Sequence, residues 1–79
     1  EIDILAEDHG TLVVVEVKAK SNASYGGAVE MITRTKQRKL LLLAKELQMK
    51  YQRDSVRVDV VAIDEFLEAP KITYYKGAL

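Results

Sequence analysis

The sequence contains no cysteine and no tryptophan, and only one histidine, one proline and one phenylalanine among 79 residues. Without cysteine there is neither a disulfide framework nor a thiolate metal site, which fits a reducing compartment and sets the expectation of a cytoplasmic protein. The single histidine, His9, has no second imidazole to work with and stands in a turn sequence, so it is read as a turn residue. Long apolar runs are absent as well. The longest, Leu40 to Ala44, has five residues, against about 20 for a bilayer span, and no membrane partner is expected. Charge of one sign is not in excess either. Lys plus Arg and Asp plus Glu number 12 each, so no global field draws in a polyanion and any basic surface has to be local.

What is present is an ordinary globular balance, 48% apolar and 30% charged. One domain is expected over residues 1–79. Its core should be thin, since folding at this length buries only ~60–65% of the surface that the unfolded chain exposes. The opening "EIDILAED" alternates apolar and charged residues and reads as a strand already under way, so the chain is expected to be a piece of a longer protein. "EDHG" supplies a turn, and Thr11 to Lys18 is a second strand rich in β-branched residues. Together they read as a β-hairpin. "SNASYGG" is a loop by composition, with Tyr25 as a packing residue. Residues 29–32, "VEMI", read as a short helical turn or as the start of the helix that follows. Leu40, Leu43, Ala44, Leu47 and Tyr51 recur at helical spacing and predict a helix from about Arg34 to Arg53, with Thr33 as its N-cap. "SVRVDVVAI" is a third strand, apolar on both faces, expected at the centre of a sheet covered on both sides. "KITYYKG", after Pro70, is a last edge strand on which one of Tyr74 and Tyr75 packs inward and the other faces solvent.

"VVVEVKAK", residues 13–20, poses the chemical question, because a valine-rich strand has no obvious use for Glu16 and Lys18. A two-residue loop at His9-Gly10 sets Asp3 directly opposite Glu16, whereas one at Asp8-His9 sets Asp3 opposite Val14. In both registers Asp3, Glu16 and Lys18 share a face. Facing carboxylates repel, and a hard divalent cation, held by one or two carboxylates with waters and phosphates, would offset that. Lys18 would then stand beside it as a positive charge for a phosphate or an attacking water, the outline of a phosphodiester-hydrolysis site. The plainer alternative is a solvated sheet face with a surface ion pair. A second clue lies in the long helix. Arg34, Lys36, Arg38 and Lys39 crowd its start, where the macrodipole is already positive and stability alone would place acidic residues. Basic side chains with free N–H groups make an anion site suited to a nucleic-acid backbone. The alternative there is the solvated face of an amphipathic helix.

Taken in order, "EIDILA", "VVVEVKAK", "YGGAVEMITRTKQRKLLLLA" and "VRVDVVAID" resemble the bacterial YraN-like family, and the resemblance runs down to "YYKGAL" at the end of the chain. That family belongs to the PD-(D/E)XK nuclease superfamily, with the restriction-endonuclease-like fold also seen in archaeal Holliday junction resolvases. The resemblance implies an α/β restriction-endonuclease-like core: a β-hairpin, a long helix and two further strands in a mixed sheet. By position, Asp3 would be the metal-binding aspartate, Glu16 the acidic member of the (D/E)XK pair and Lys18 the catalytic lysine. The backbone carbonyl of Val17 would complete the shell of a Mg²⁺ or Mn²⁺ ion. Lys36, Gln37 and Arg38 fall in the helix that approaches DNA in the resolvase-like relatives. With Lys20, Arg34 and Lys39 they are the expected nucleic-acid contacts, Lys20 standing where arginine is common. Asp59 matches an acidic position and is read as a structural hydrogen-bonding partner, while Glu1, just before the metal aspartate, supports the site at most indirectly. Family members carry a stretch before "EID", including a first helix that in many superfamily members adds an acidic residue. Its absence here is expected to leave the site short of a ligand and apolar surface open to self-association, as a homodimer or a larger assembly.

Two functions are carried forward. One is a Mg²⁺- or Mn²⁺-dependent nuclease-like domain acting on nucleic acid, DNA above all and branched DNA in particular. The other is a non-catalytic nucleic-acid-binding module of the same fold, with a purely structural domain as a third reading.

Overall fold

The structure, a computed structural model, describes residues 3–22, 27, 28, 32–66 and 68–79. Glu1, Tyr25 and residues 29–31 of the expected helical turn lie outside the described residues. Strand β1 (Ile4–Asp8) and strand β2 (Thr11–Lys20) are followed by helix α1 (Arg34–Lys50), strand β3 (Val56–Asp64) and strand β4 (Lys71–Tyr75). The sheet runs β1-β2-β3-β4. The two outer pairs are antiparallel and the central β2–β3 pair is parallel. The architecture is α/β in the order β-β-α-β-β, with a mixed sheet, as the sequence predicts.

The first turn settles the register. His9 (φ 49°) and Gly10 (φ 87°) both take positive φ, the combination that matches the twist of a two-residue hairpin. Glycine adopts it freely, and histidine is among the residues that tolerate it. Asp8 therefore pairs with Thr11 and Ile4 with Val15, and one further step sets Asp3 opposite Glu16. Asp8 Oδ1 lies 2.8 Å from His9 Nδ1 in the turn itself.

The even-numbered residues of β2 and β3 face α1. Val14, Val58 and Val60 meet Ile32, Leu40 and Ala44 in one buried cluster, with Leu47, Val56 and Leu79 packed at its border. Thr33 caps α1 as expected: it is extended, and its hydroxyl accepts from the Lys36 N–H at 3.2 Å. The helix ends three residues earlier than its apolar spacing predicts. Arg53 N–H donates to Gln48 O and Gln52 N–H to Met49 O, the Schellman pattern, with Gln52 at φ 53° where glycine is usual. No glycine marks the stop, which is why the spacing overran it. Gln52→Gly should stabilise the chain by about 0.5–1 kcal/mol by relieving a left-handed side-chain residue. Urea melts that show no gain would mean that Gln52 is not strained.

The odd-numbered face differs from expectation. β3 is central, but among the described residues α1 is the only α-helix and it covers the even face alone. Val13 and Val15 are nonetheless buried on the odd side, next to a polar cluster on Arg57 and Asp59. Towards the edges, Ile4, Ile72 and Tyr74 are exposed. Neither tyrosine of β4 is buried. Tyr74 instead turns its hydroxyl onto Asp59. No helix among the described residues is long and apolar enough to cross a membrane.

Candidate functional site

Glu16 is the unusual residue of β2. It sits on the helix-facing side, one pleat beyond Val14, and is only 4% exposed. A carboxylate taken out of water needs charged or hydrogen-bonded partners, and two lysines supply them. Lys18 Nζ lies 3.3 Å and Lys36 Nζ 3.0 Å from the same oxygen, Oε2. Lys18 comes from the same strand two residues on, whereas Lys36 reaches across from the first turn of α1. Asp3, opposite Glu16, is fixed by the Val17 N–H, which donates to its Oδ2 at 2.8 Å. Asp3, Glu16, Val17 and Lys18 thus gather at one place, and Lys36 joins them.

The donor set fits a small hard cation. Two adjacent carboxylates offer oxygen ligands of the kind that Mg²⁺ and Mn²⁺ prefer, and the two ammonium groups crowded on one Glu16 oxygen mark a place that attracts positive charge. Among the described residues, no group of three or more His, Cys, Asp or Glu side chains converges.

The basic residues of α1 divide between two sides of the helix. Lys36 and Lys39, with Thr33, Thr35, Leu40 and Leu43, line an open cleft of about 410 Å³. Arg38 stands with Leu41, Leu42 and Lys45 on another side, and Arg34 is exposed one turn earlier. Gln37 donates from Nε2 to the Ile32 carbonyl at 3.2 Å, a bond that ties the helix start to the preceding residues. Lys20 follows Lys18 on the same face, in register with Asp64, whose Oδ1 accepts from the Ala28 N–H at 2.7 Å.

A second polar centre lies on the opposite face. Asp59 is fully buried at 0% exposure. Its carboxylate accepts from Arg57 Nε at 3.0 Å, from the Gly77 N–H at 2.7 Å and from the Tyr74 hydroxyl. Arg57 in turn donates to Asp8 Oδ2 at 3.0 Å. Burial would push the Asp59 carboxyl up, but the bonds from Gly77, Tyr74 and Arg57 outweigh it and hold the group below the ordinary aspartate range. Asp59 is thus a hub joining β3, β4, the turn after β4 and, through Arg57, the end of β1. Sequence reasoning identified it as a bonding partner without finding the partners. Arg57, two residues back on the same strand face, was the available signal.

With this geometry in view, the comparisons are specific at the level of family. Residues 1–63 match the model of the uncharacterised protein family UPF0102. The chain is 35% identical over 80 residues to a UPF0102 protein of Methylococcus capsulatus, covering all of this chain and 65% of the relative. It is 42% identical over 65 residues to one from Persephonella marina, covering 80% of this chain and 56% of the relative, and 42% identical over 69 residues to one from Vibrio campbellii, covering 82% and 57%. The chain belongs to the UPF0102 family, the one to which its YraN-like motifs point. It spans about two thirds or less of the length of these relatives. No solved structure matches it.

Proposed function

We propose that this chain is a metal-dependent nuclease-like domain that hydrolyses phosphodiester bonds of nucleic acid. One observation carries the reading: a nearly buried glutamate, Glu16, beside a second carboxylate, Asp3, with Lys18 and Lys36 on its Oε2. Asp3, Glu16 and the backbone of Val17 would hold a Mg²⁺ or Mn²⁺ ion. The ion would acidify a water and withdraw charge from the scissile phosphate. The Val17 N–H fixes the direction of the Asp3 carboxylate, so that a ligand oxygen is oriented in advance. Lys18, leaning over Glu16, supplies a positive charge where negative charge develops on a phosphate. Lys36 and Lys39 carry the positive surface from Glu16 into the cleft at the start of α1, a route for a phosphate backbone.

A calorimetric Mn²⁺ titration tests this on the wild-type chain, Asp3→Asn and Glu16→Gln, each with and without a short branched DNA. Binding that disappears in both variants and tightens with DNA is expected. Binding that survives either substitution overturns the site. The non-catalytic reading is favoured by one observation, the lack of a third converging acidic residue among the described residues. It predicts salt-dependent DNA binding that weakens with Arg34→Ala or Arg38→Ala and ignores Glu16→Gln.

A further inference from the structure

We propose that Lys36 is a built-in counter-ion of this site: its ammonium stands in for a divalent cation on Glu16 Oε2 and competes with it there. The inference rests on the metal-site reading of Asp3 and Glu16 and adds a control element to it.

Three observations point to Lys36. Its Nζ is 3.0 Å from Oε2, against 3.3 Å for Lys18, on a carboxylate already paired within its own strand. A second ammonium on one oxygen is more than a single buried carboxylate needs, but it balances a pair of neighbouring carboxylates. The position of Lys36 is the second observation. With Thr33 as N-cap, Lys36 is the third helical residue, where a Glu or Gln would reach back to the cap and suit the dipole. The first turn holds no acidic residue at all. Helix stability therefore argues against a lysine here, and the contact with Glu16 is what compensates it. The third observation is exposure. The Lys36 side chain is 40% exposed and that of Lys18 is 21%. Lys36, already in contact with water, can leave Oε2 for the cleft that it lines with Thr33 and Lys39. Lys18 is held over the sheet.

The consequence is an exchange. Two positive groups cannot share Oε2 with a divalent ion without strong repulsion, so the entering ion displaces the more exposed one, Lys36. Lys36 then remains in the cleft as a free positive charge beside Lys39.

The test is a calorimetric Mn²⁺ titration without nucleic acid on the wild-type chain, Lys36→Met and Lys36→Arg, with circular dichroism to check folding. Lys36→Met should bind Mn²⁺ at least about fivefold tighter than wild type, since a competing cation is gone. Lys36→Arg keeps the charge and should stay within about twofold of wild type. Thermal melts give a second readout: fivefold tighter binding adds about 1 kcal/mol of stabilisation at saturating Mn²⁺. Should Lys36→Met fail to fold, Lys36→Gln, which completes a capping box with Thr33, carries the same expectation. Equal or weaker binding by the neutral variant, with wild type binding normally, overturns the exchange and leaves the metal site standing. No binding by either chain overturns the metal site, and the exchange with it.

Discussion

Glu16→Gln should lower Mn²⁺-dependent cleavage of DNA by at least about 100-fold, and Lys18→Ala should do the same, while both chains keep the wild-type circular dichroism spectrum. The glutamine change preserves shape and removes one negative charge from a position that is 4% exposed. The fold should tolerate it because the two ammonium groups left behind, Lys18 and Lys36, both retain access to water. Stability should therefore fall by about 1.5–3 kcal/mol, the scale of a hydrogen bond to a charged group. Activity would have no such reserve, because on the proposed reading the carboxylate would itself be a metal ligand, with Lys18 the charged group nearest to it on the strand. Substrates should include linear and branched duplexes and single-stranded RNA, each with Mg²⁺ and with Mn²⁺. Cleavage that survives both substitutions would place the chemistry elsewhere.

Asp59→Ala should cost about 3–5 kcal/mol, the largest loss of stability expected from any one substitution in the chain. The change removes the acceptor shared by Arg57, Tyr74 and the Gly77 N–H and opens a void at a fully buried position. A domain of this length has a total stability of about 4–12 kcal/mol, so the variant should lose at least about a quarter of it. The pH dependence follows from the same hub. The Asp59 carboxyl is held below its ordinary value of 3.8 in the folded chain, so its contribution is complete above that value and is lost as the pH falls through the lower, folded one. Tyr74 works in the opposite direction. Its hydroxyl donates to Asp59, which raises its pKa above the ordinary 10.0, so that contribution is complete below pH 10.0 and is lost as the pH rises through the higher, folded value. Urea melts of wild type, Asp59→Ala and Tyr74→Phe across this range read both edges. An Asp59→Ala loss under about 1 kcal/mol would show that the hub is not what joins β3 to its neighbours.

The hairpin and the shared face of Asp3 and Glu16 were legible in the sequence because each depends on local rules, a period of two and the parity of a two-residue turn, whereas the choice between two registers was not: it rests on the positive φ of both His9 and Gly10. The start of α1 was legible for the same reason, through Thr33. Lys36 was legible only as a basic residue out of place. Its partner lies 20 positions away on another element, and no spacing rule within the helix reaches it, so the sequence suggested a phosphate contact where the structure places a carboxylate. A lysine at the third position of a helix is still a usable signal, since something acidic elsewhere has to compensate it. The odd face misled for a different reason. Val61 and Ile63 look like residues beneath a covering layer, and a pattern of apolar residues carries no information about which element provides the cover.

The parallel pairing of β2 with β3 also bears on the order in which the molecule assembles. The β1–β2 hairpin closes through a two-residue turn, a contact of low sequence separation that hairpins make on a timescale of about 1–10 μs. Bringing β3 alongside β2 requires the chain between them to be ordered first, a long loop closure, and is intrinsically slower. Asp3, Glu16 and Lys18 belong to the fast part and Lys36 to the slow part. The hairpin that carries Asp3, Glu16 and Lys18 is thus expected to form before α1 docks. On the metal-site reading, a nascent chain in a medium containing magnesium would offer its carboxylates to the ion beside Lys18 and before Lys36 arrives.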